Sequence, residues 1–592
     1  MCGIHLLWGK EAKEENIQIL LEAGRHRGPD QEASLSPWPG IWIGVNRLRV
    51  SDPSPTADQP FWTSDQHAFL IWNGELYNSK ELKALLTTMG HTFVSDSDTE
   101  VLLVWLRSFG EKGMSRLKGM FSFILVDVVN KSILTARDPS GEKPLYFKQD
   151  IDTLCISSTA SGIAQVFGIP VDPRSFSNYS YLRAPRHGHS FFNGIKNWRP
   201  GQFSSIQNHL SFRFDPLPET QSPKVDLTLE TFEEKLRHAV TRQIQADVPA
   251  GMLLSGGADS SLLYAIWHKE TGERLPAFTL EVEPKYQGKY QDAKYSKAFA
   301  QQFPCDLVSV PITQEIFLSE WDEFLASVDQ PVGDSAGFLL WFLGKKAKEK
   351  GIKVLISGAG ADELWGGYRR HSAFQTYLAH KDWLLWAKPF MQNLPLPREY
   401  SKFFKSIKSS ENHTFLNFSG LRPVPKEVYE YVDRFFVKNL PPYKRALDFD
   451  RKVYLVEDIL KIQDQSLMAH GIEGRSPYLD SDLVDFWRKV ENEDLLTEKK
   501  WIHELLNQHG LEEISNRPKL GFGLPLLEWF LDGGPVAKRV FSILKKFGQS
   551  HQKDLADEIF QITQTPEKFV KSDFLMLYNL FLLAEWVNLR NA

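Results

Sequence analysis

Cysteine is scarce in this chain: only Cys2, Cys155 and Cys305 occur among 592 residues. No disulfide framework can hold such a fold, and a reducing compartment is expected. Long apolar runs are missing as well. The most apolar stretch, Phe574 to Val587, is interrupted by Asn579 and Glu585 and is too short for a bilayer span, so it is read as a packed helix and no membrane partner is expected. No basic stretch leading into an apolar segment is found near the N-terminus, so no signal peptide is read and the cytoplasm is the expected location. Charge of one sign is not in excess: a formal net charge of -5 gives no general pull toward nucleic acid. Partners must then be argued from individual sites.

What is present is ordinary globular material, 42% hydrophobic and 24% charged, in a chain too long for one core. From Met1 to about Leu210, short apolar runs such as Ile41 to Val45, Phe69 to Trp72 and Phe121 to Val126 alternate with Gly, Pro, Asn and Asp turns, and helical stretches at Glu14 to Ala23 and Ser79 to Met89 interrupt them. An α+β sandwich is expected over residues 1–213. Pro216, Pro218 and Pro223 lie among polar residues and mark 214–226 as a linker. Beyond it, strand-like Ala250 to Leu254, Ala277 to Val282 and Val354 to Ile356 alternate with helical Ser260 to His268, Tyr295 to Gln302 and Gly337 to Lys350. Such alternation predicts a doubly wound parallel sheet in residues 227–592. From about Lys381 onward the strand signals fade, and an all-helical part is expected.

Cys2, followed by small Gly3, is placed for methionine removal, which leaves a free α-amine beside the thiol. With a reference pKa of about 7.7–8.0, that amine can take the thiol proton and serve as the nucleophile's own base. Position alone is equally compatible with an incidental cysteine at a chain end. The motifs that follow it, RHRGPD at Arg25 to Asp30, NGELYN at Asn73 to Asn78 and SDTEV at Ser97 to Val101, change that balance. Taken singly, Asn-Gly reads as a hairpin turn and Asp-Thr-Glu as a helix start. In this order behind MCGI, they resemble the N-terminal nucleophile glutamine amidotransferases. The resemblance implies an αββα sandwich in which Arg47 pairs with the glutamine carboxylate, Glu75 and Asp98 pair with its ammonium, and Asn73 with the Gly74 N–H forms the oxyanion hole. GMFSFILVD, Gly119 to Asp127, and ARDPSGEKPLYF, Ala136 to Phe147, resemble the same family and are expected to be structural.

In the second half, DVPAGMLLSGGADSS, Asp247 to Ser261, reads as a strand, a glycine turn and a helix opening on serines, a geometry that aims N–H groups at an anion. No Gly-Lys-Ser/Thr follows, so it is not a Walker loop. SGGADS, comprising Ser255, Gly256, Gly257, Asp259 and Ser260, instead resembles the pyrophosphate loop of ATP pyrophosphatases. A second glycine loop, SGAGADELWGGY at Ser357 to Tyr368, again follows a strand. Together these resemble the asparagine synthetase family over nearly the whole chain. The resemblance implies ATP as substrate, Mg²⁺ on Asp259 and Asp362, adenosine against the backbones of Leu254, Val282, Ser357 and Gly358, and a charge-stabilising Lys519 in the R-x-K-x-G-F-like segment Arg517 to Phe522. Asp464, Met468, Glu473, Arg475 and Leu479-Asp480 fall in a further matching segment that supports the site.

Several positions depart from that pattern: Ala359 stands where a carboxylate is usual, Phe338 and Leu339 replace a Pro-Thr pair, Gln465 an arginine, Leu467 a serine, and Ser158 to Ser161 a Ser-Glu-x-Lys. The pocket for the accepting carboxylate is therefore expected to be more apolar. The expected reaction takes glutamine, ATP and aspartate to asparagine, glutamate, AMP and pyrophosphate, with ammonia passing internally, and relatives suggest a homodimer. A sibling enzyme amidating another carboxylate is the second expectation, and a non-catalytic binding relative the third. Relatives that close β-lactam rings need no glutaminase nucleophile, and no phosphoribosyl pyrophosphate loop is found.

Overall fold

The structure is a computed structural model and describes residues 2–207, 213–218, 225–517, 523–551 and 571–591. Its first domain stacks two antiparallel sheets. One runs β10 (Lys196–Asn197), β8 (Tyr146–Gln149), β9 (Thr153–Ser157), β1 (Cys2–Gly9), β3 (Ile41–Arg47) and β2 (Gln31–Leu35). The other runs β12 (Asp215–Pro216), β11 (Gln202–Gln207), β7 (Ser132–Arg137), β6 (Gly119–Asp127), β5 (Ala68–Leu76) and β4 (Phe61–Trp62). Apolar side chains at alternate positions of both sheets, among them Ile4, Leu6, Ile43, Phe69, Ile71 and Ile124, fuse into one core between them. The outer faces are covered by helices. On one side α1 (Glu14–Gly24) packs against the β1 sheet, while α2 (Ser79–Thr88) and α3 (Asp98–Gly113) bury Leu82, Leu86, Leu103 and Trp105 against the β5 sheet. The layers are thus α, β, β, α, and β6 coincides with the expected structural run. In the linker range, Asp215–Pro216 pairs onto β11 as an edge strand, a place where proline is tolerated.

Two short helices, α4 (Ala160–Phe167) and α5 (Arg174–Leu182), complete the first domain, and α6 (Leu229–Ile244) opens the second. Its sheet is entirely parallel, in the order β15 (Asp306–Ile312), β14 (Pro276–Val282), β13 (Ala250–Leu253), β16 (Val354–Ile356) and β17 (Glu473–Arg475). After β13 the chain passes through α7 (Ala258–Thr271) to β14, and through α8 (Asp292–Gln302) to β15. It then returns by α9 (Gln314–Ser327) and α10 (Ala336–Glu349) to β16 on the other side of β13. The reversal opens a crevice at the C-terminal ends of β13 and β16, the place where doubly wound sheets receive ligands. Both glycine loops end there.

Among the described residues beyond 381, the regular elements are helices apart from β17. β17 departs from the all-helical expectation, because a buried Glu-Gly-Arg shows no alternating apolar signal. The terminal helix Lys571–Asn591 is largely buried from Phe574 to Val587, packing against α9 and the 526–531 helix, and among the described residues no helix is long and apolar enough to cross a membrane. Phe338 and Leu339 require a correction. They are fully buried in an aromatic core with Phe317, Trp321, Phe324 and Trp341, and do not line the crevice. The Pro-Thr departure is therefore a matter of packing, and it does not make a pocket more apolar.

Candidate active sites

Strand pairing sets the first site. Cys2 lies opposite Arg47 across β1 and β3, and β5 from the facing sheet brings Asn73 to it. The Cys2 N–H donates to Asn73 Oδ1 at 3.0 Å, which turns the other end of the amide, Nδ2, away from it. That Nδ2 is buried and has no hydrogen-bond partner among the described residues. Buried donors are seldom left unpaired, so such an atom calls for an explanation. Gly74 follows on β5, where a Cβ would sit 2.3 Å from the Met120 carbonyl oxygen, so only glycine lets β5 and β6 close up here.

Gln59 is not legible from sequence, because one amide in a polar loop gives no signal. Its Nε2 donates to Cys2 Sγ at 3.6 Å while its Oε1 accepts from the Trp72 N–H at 2.7 Å. Arg47 lies at the site but is engaged by the 51–58 loop: Asp58 at 2.6 Å and the Asp52 and Ser51 carbonyls at 2.8 and 3.2 Å. Asp98 is a buried carboxylate and Glu75 a partly buried one. Burial raises Glu75 to about 8 against the opposing pull of Arg475, and raises Asp98 to about 6 against a hydrogen bond from the Leu76 N–H.

The second site forms where the glycine loops touch. A Cβ on Gly358 would lie 2.8 Å from Asp259 Cβ, and Gly256 adopts φ +64° with Ser296 N 2.6 Å from where its Cβ would be. Asp259 sits in the first turn of α7 and Asp362 in the short helix Ala361–Trp365. Their carboxylates converge on one cation, Lys499 Nζ, which is 2.7 and 2.6 Å from the Asp259 oxygens and 2.6 Å from Asp362 Oδ1. Lys499 is almost fully buried, and the two aspartates outweigh desolvation to hold its pKa above the usual lysine value. A Cβ on Gly367 would strike Lys499 Cε and Asp362, which explains the second glycine of the Gly366-Gly367 pair. Lys499 escapes a reading of the sequence, since a lysine between two charged neighbours looks like solvated surface. Arg517 donates to the Ser255 carbonyl at 3.0 Å and stacks 4.3 Å from the Tyr295 ring. Lys519 lies outside the described residues.

The two sites are joined by single residues. The Arg475 carbonyl accepts from the Ser357 N–H of the second loop at 2.9 Å, while its fully buried guanidinium reaches Glu473 at 2.6 Å and Glu75 at 3.1 Å. Alongside, Gln463 contacts Ser357 Oγ, and its neighbour Asp464 takes a bidentate pair from Arg27 at 2.7 and 3.0 Å. Arg27 Nε in turn donates to the Cys2 carbonyl at 3.3 Å. Between these bridges lies a polar cavity lined by His26, Arg27, Tyr146, Asp329, Asp464 and Gln465. Ser158 and Thr159 also border it, and Ser161 Oγ donates to Asp329 at 2.5 Å, so the departures at the junction have found partners of their own. Leu467 is core.

A cysteine on the first strand of an αββα sandwich, joined to a parallel sheet with paired glycine loops at its switch point, is the construction of an amidotransferase coupled to a nucleotide-using ligase domain. The glutamine amidotransferase domain model matches residues 1–212 and the asparagine synthase model matches residues 231–576, and the chain belongs to the asparagine synthase family. It is 28% identical over 570 residues to asparagine synthetase [glutamine-hydrolyzing] 1 of Bacillus subtilis, covering 89% of this chain and 88% of that protein. It is also 30% identical over 396 residues to asparagine synthetase [glutamine-hydrolyzing] of Zea mays, covering 62% and 60%. Among solved structures, the glutamine phosphoribosylpyrophosphate amidotransferase from B. subtilis aligns with 60% of this chain and 82% of its own at 15% identity, but a TM-score of 0.29 carries no weight. The chain is a glutamine-hydrolysing carbon–nitrogen ligase.

Proposed function

We propose that the chain makes asparagine from aspartate, taking ammonia from glutamine at Cys2 and activating the β-carboxylate with ATP. The observation that supports this reading is that Arg475 joins the two candidate half-sites, touching Glu75 with its side chain and Ser357 with its backbone. A non-catalytic relative has no need of either.

In the first half-reaction the Cys2 α-amine takes the thiol proton, the thiolate attacks the glutamine amide, and Asn73 Nδ2 with the Gly74 N–H stabilises the oxyanion. Arg47, Glu75 and Asp98 hold the two ends of the amino acid. Released ammonia crosses the polar cavity at the domain junction. In the second, the carboxylate displaces pyrophosphate from ATP, and ammonia then displaces AMP, with Lys519 offsetting the charge that develops. The backbones of Leu254, Val282, Ser357 and Gly358 receive the adenosine, and Ser255, Gly256, Gly257 and Ser260 receive the phosphates. Asp259 and Asp362 form a donor pair that already gathers one cation, and such hard oxygens fit Mg²⁺, which would neutralise the phosphates when bound. Lys499 is the counter-charge they hold otherwise. The boundary between the domains is placed at 214–226, the location in the cytoplasm, and the homodimer follows from the family resemblance alone.

Asn73→Ala should lower the glutaminase kcat about 10²–10³-fold with little change in glutamine KM, because only the transition-state donor is removed. Glutamine binding to a Cys2→Ala variant should strengthen as pH rises from 6 to 8. The raised pKa values of Asp98 and Glu75, about 6 and about 8, leave both carboxyls increasingly protonated toward the acid end of that range, and only the ionised forms hold an ammonium. Calorimetric titration at several pH values would measure this, and a flat profile would remove the two carboxylates from the binding site.

The deciding experiment is product analysis with glutamine, aspartate, ATP and Mg²⁺. Asparagine, AMP and pyrophosphate in equal amounts are expected. Glutamate release without asparagine would instead favour another accepting carboxylate, a second reading that Ala359 supports by leaving no carboxylate at that point of the loop.

A further inference from the structure

Arg47 closes β3, Arg49 follows it by two residues, and the loop beyond them turns through a short 3-10 helix, Pro55–Ala57, that returns Asp58 to both. Asp58 Oδ1 accepts from Arg47 Nη1 at 2.6 Å. Arg49 grips the same carboxylate with two donors, Nε to Oδ1 at 3.1 Å and Nη2 to Oδ2 at 2.7 Å. The three side chains differ in burial: Arg47 is 3% exposed, whereas Asp58 and Arg49 are 27% and 26% exposed. The Arg49–Asp58 pair therefore reaches water, and Arg47 does not.

The rest of the Arg47 guanidinium is held by backbone. Nη2 donates to the Ser51 and Asp52 carbonyls, and Nη1 also reaches the Ser54 carbonyl at 3.3 Å. Among the described residues Asp58 is the one carboxylate paired with it. The neighbouring acids are engaged elsewhere: Asp52 accepts from the Ser54 N–H and Oγ at 3.1 and 2.5 Å, Asp30 from the Arg49 N–H at 2.9 Å and Lys353 at 2.7 Å, and Asp247 from the Asp52 N–H at 3.0 Å. The pair also borders the thiol, because Cys2 lies opposite Arg47 and Gln59, next to Asp58, donates to Cys2 Sγ. The position expected for the glutamine carboxylate is thus already filled by a carboxylate. A buried guanidinium loses such a partner at high cost unless another anion takes its place, and the displaced carboxylate needs a cation of its own. Arg49 already supplies that cation, so an exchange leaves neither charge unpaired.

We infer that Asp58 is a resident competitor for glutamine at Arg47, and that Arg49 sets how strongly it competes. The α-carboxylate of glutamine replaces Asp58 on Arg47 Nη1, and Asp58 stays behind on Arg49 alone. The inference rests on the reading that Arg47 holds the glutamine carboxylate. Asp58 and Arg49 then act through Arg47, as positioning residues that tune glutamine affinity in opposite directions. Without Asp58 the incoming carboxylate meets two unneutralised arginines and no rival. Without Arg49 the rival is held by Arg47 alone, and once displaced it lies unpaired beside the new carboxylate.

The test is calorimetric titration of glutamine into the full chain carrying Cys2→Ala, which prevents turnover, with Asp58→Asn, Arg49→Gln and both together added to it and each protein checked by thermal melting. Asp58→Asn should tighten glutamine binding about 3- to 10-fold, and Arg49→Gln should weaken it by a similar factor, the ordinary worth of a partly exposed charged hydrogen bond. With both substitutions binding should remain tighter than in the Cys2→Ala parent, because Arg49 then has no carboxylate to restrain. A merely structural lesion would weaken all three. Weaker binding in an Asp58→Asn protein that melts normally overturns the inference, and so does unchanged affinity in Arg49→Gln, which decides by itself should Asp58→Asn fail to fold. L-Glutaminamide, whose α-carboxylate is masked as an amide, tests the underlying reading separately. If the Cys2→Ala parent bound it as tightly as glutamine, Arg47 would hold no substrate carboxylate, and the inference would fall with that reading.

Discussion

Replacing Cys2 by alanine is expected to reduce glutamine-driven amidation by on the order of 10⁴-fold or more, while amidation driven by free ammonia persists. On the proposed mechanism nucleophile and base are one residue, so a single substitution removes the covalent route rather than weakening it. Ammonia-driven activity survives because Asp259, Asp362 and the glycine loops belong to the other domain, and nothing in their geometry uses the thiol. The variant should also fold. Alanine fills the space of the cysteine Cβ, and the Cys2 N–H to Asn73 and Arg27 to Cys2 carbonyl contacts are made by backbone atoms. Rates with glutamine and with ammonium chloride, measured side by side, decide it. Loss of both in a variant that melts normally would sink the model of two separate sites.

Arg475→Met is expected to cost about 3–5 kcal/mol of stability, because it strips the counter-charge from buried Glu473 and leaves Glu75 without its neighbour. Its guanidinium also donates to the carbonyls of Gln243 and Gln245 at 2.8 and 3.1 Å, so four acceptors around one fully buried side chain lose their partner. A second consequence is functional. With Arg475 gone, Glu75 should be protonated more readily and hold the glutamine ammonium less well, so the glutamine KM should rise about tenfold, the ordinary worth of a charged hydrogen bond. The adenylation rate with ammonia should fall less, since the Ser357 N–H is held by the Arg475 backbone, which methionine keeps. Thermal melting together with the two KM values tests both statements. An Arg475→Lys variant that restores stability but not glutamine affinity would assign the affinity to the planar fork. An Arg475→Met protein with unchanged melting and unchanged KM would remove this residue from both roles.

Cys2 and the ordered motifs behind it, the two glycine loops and the alternation of strands and helices are all local patterns, legible in the sequence because adjacent residues carry them. Cα–Cβ direction, turn glycines and apolar period are written in neighbours along the chain. Gln59, Lys499 and Asp58 are not legible in this way, and the pocket role expected of Phe338 fails, for one common reason. Each owes its character to what another part of the chain places beside it: a sulfur, two aspartates, two arginines or an aromatic core.

The sequence by itself determined the parts available: a cysteine at position 2, glycine turns after two strands, carboxylates beside those turns, and strand patterns of period two in one half and alternating crossovers in the other. Only the tertiary structure decided how those parts meet. It set Arg475 between Glu75 and Ser357, gave Lys499 to Asp259 and Asp362, and carried Arg27 of one domain to Asp464 of the other. The physical reason is that charge pairing falls off within a few ångströms while sequence separation sets no limit on it. Which charges become partners is fixed by packing, and packing is settled only when the whole chain has folded.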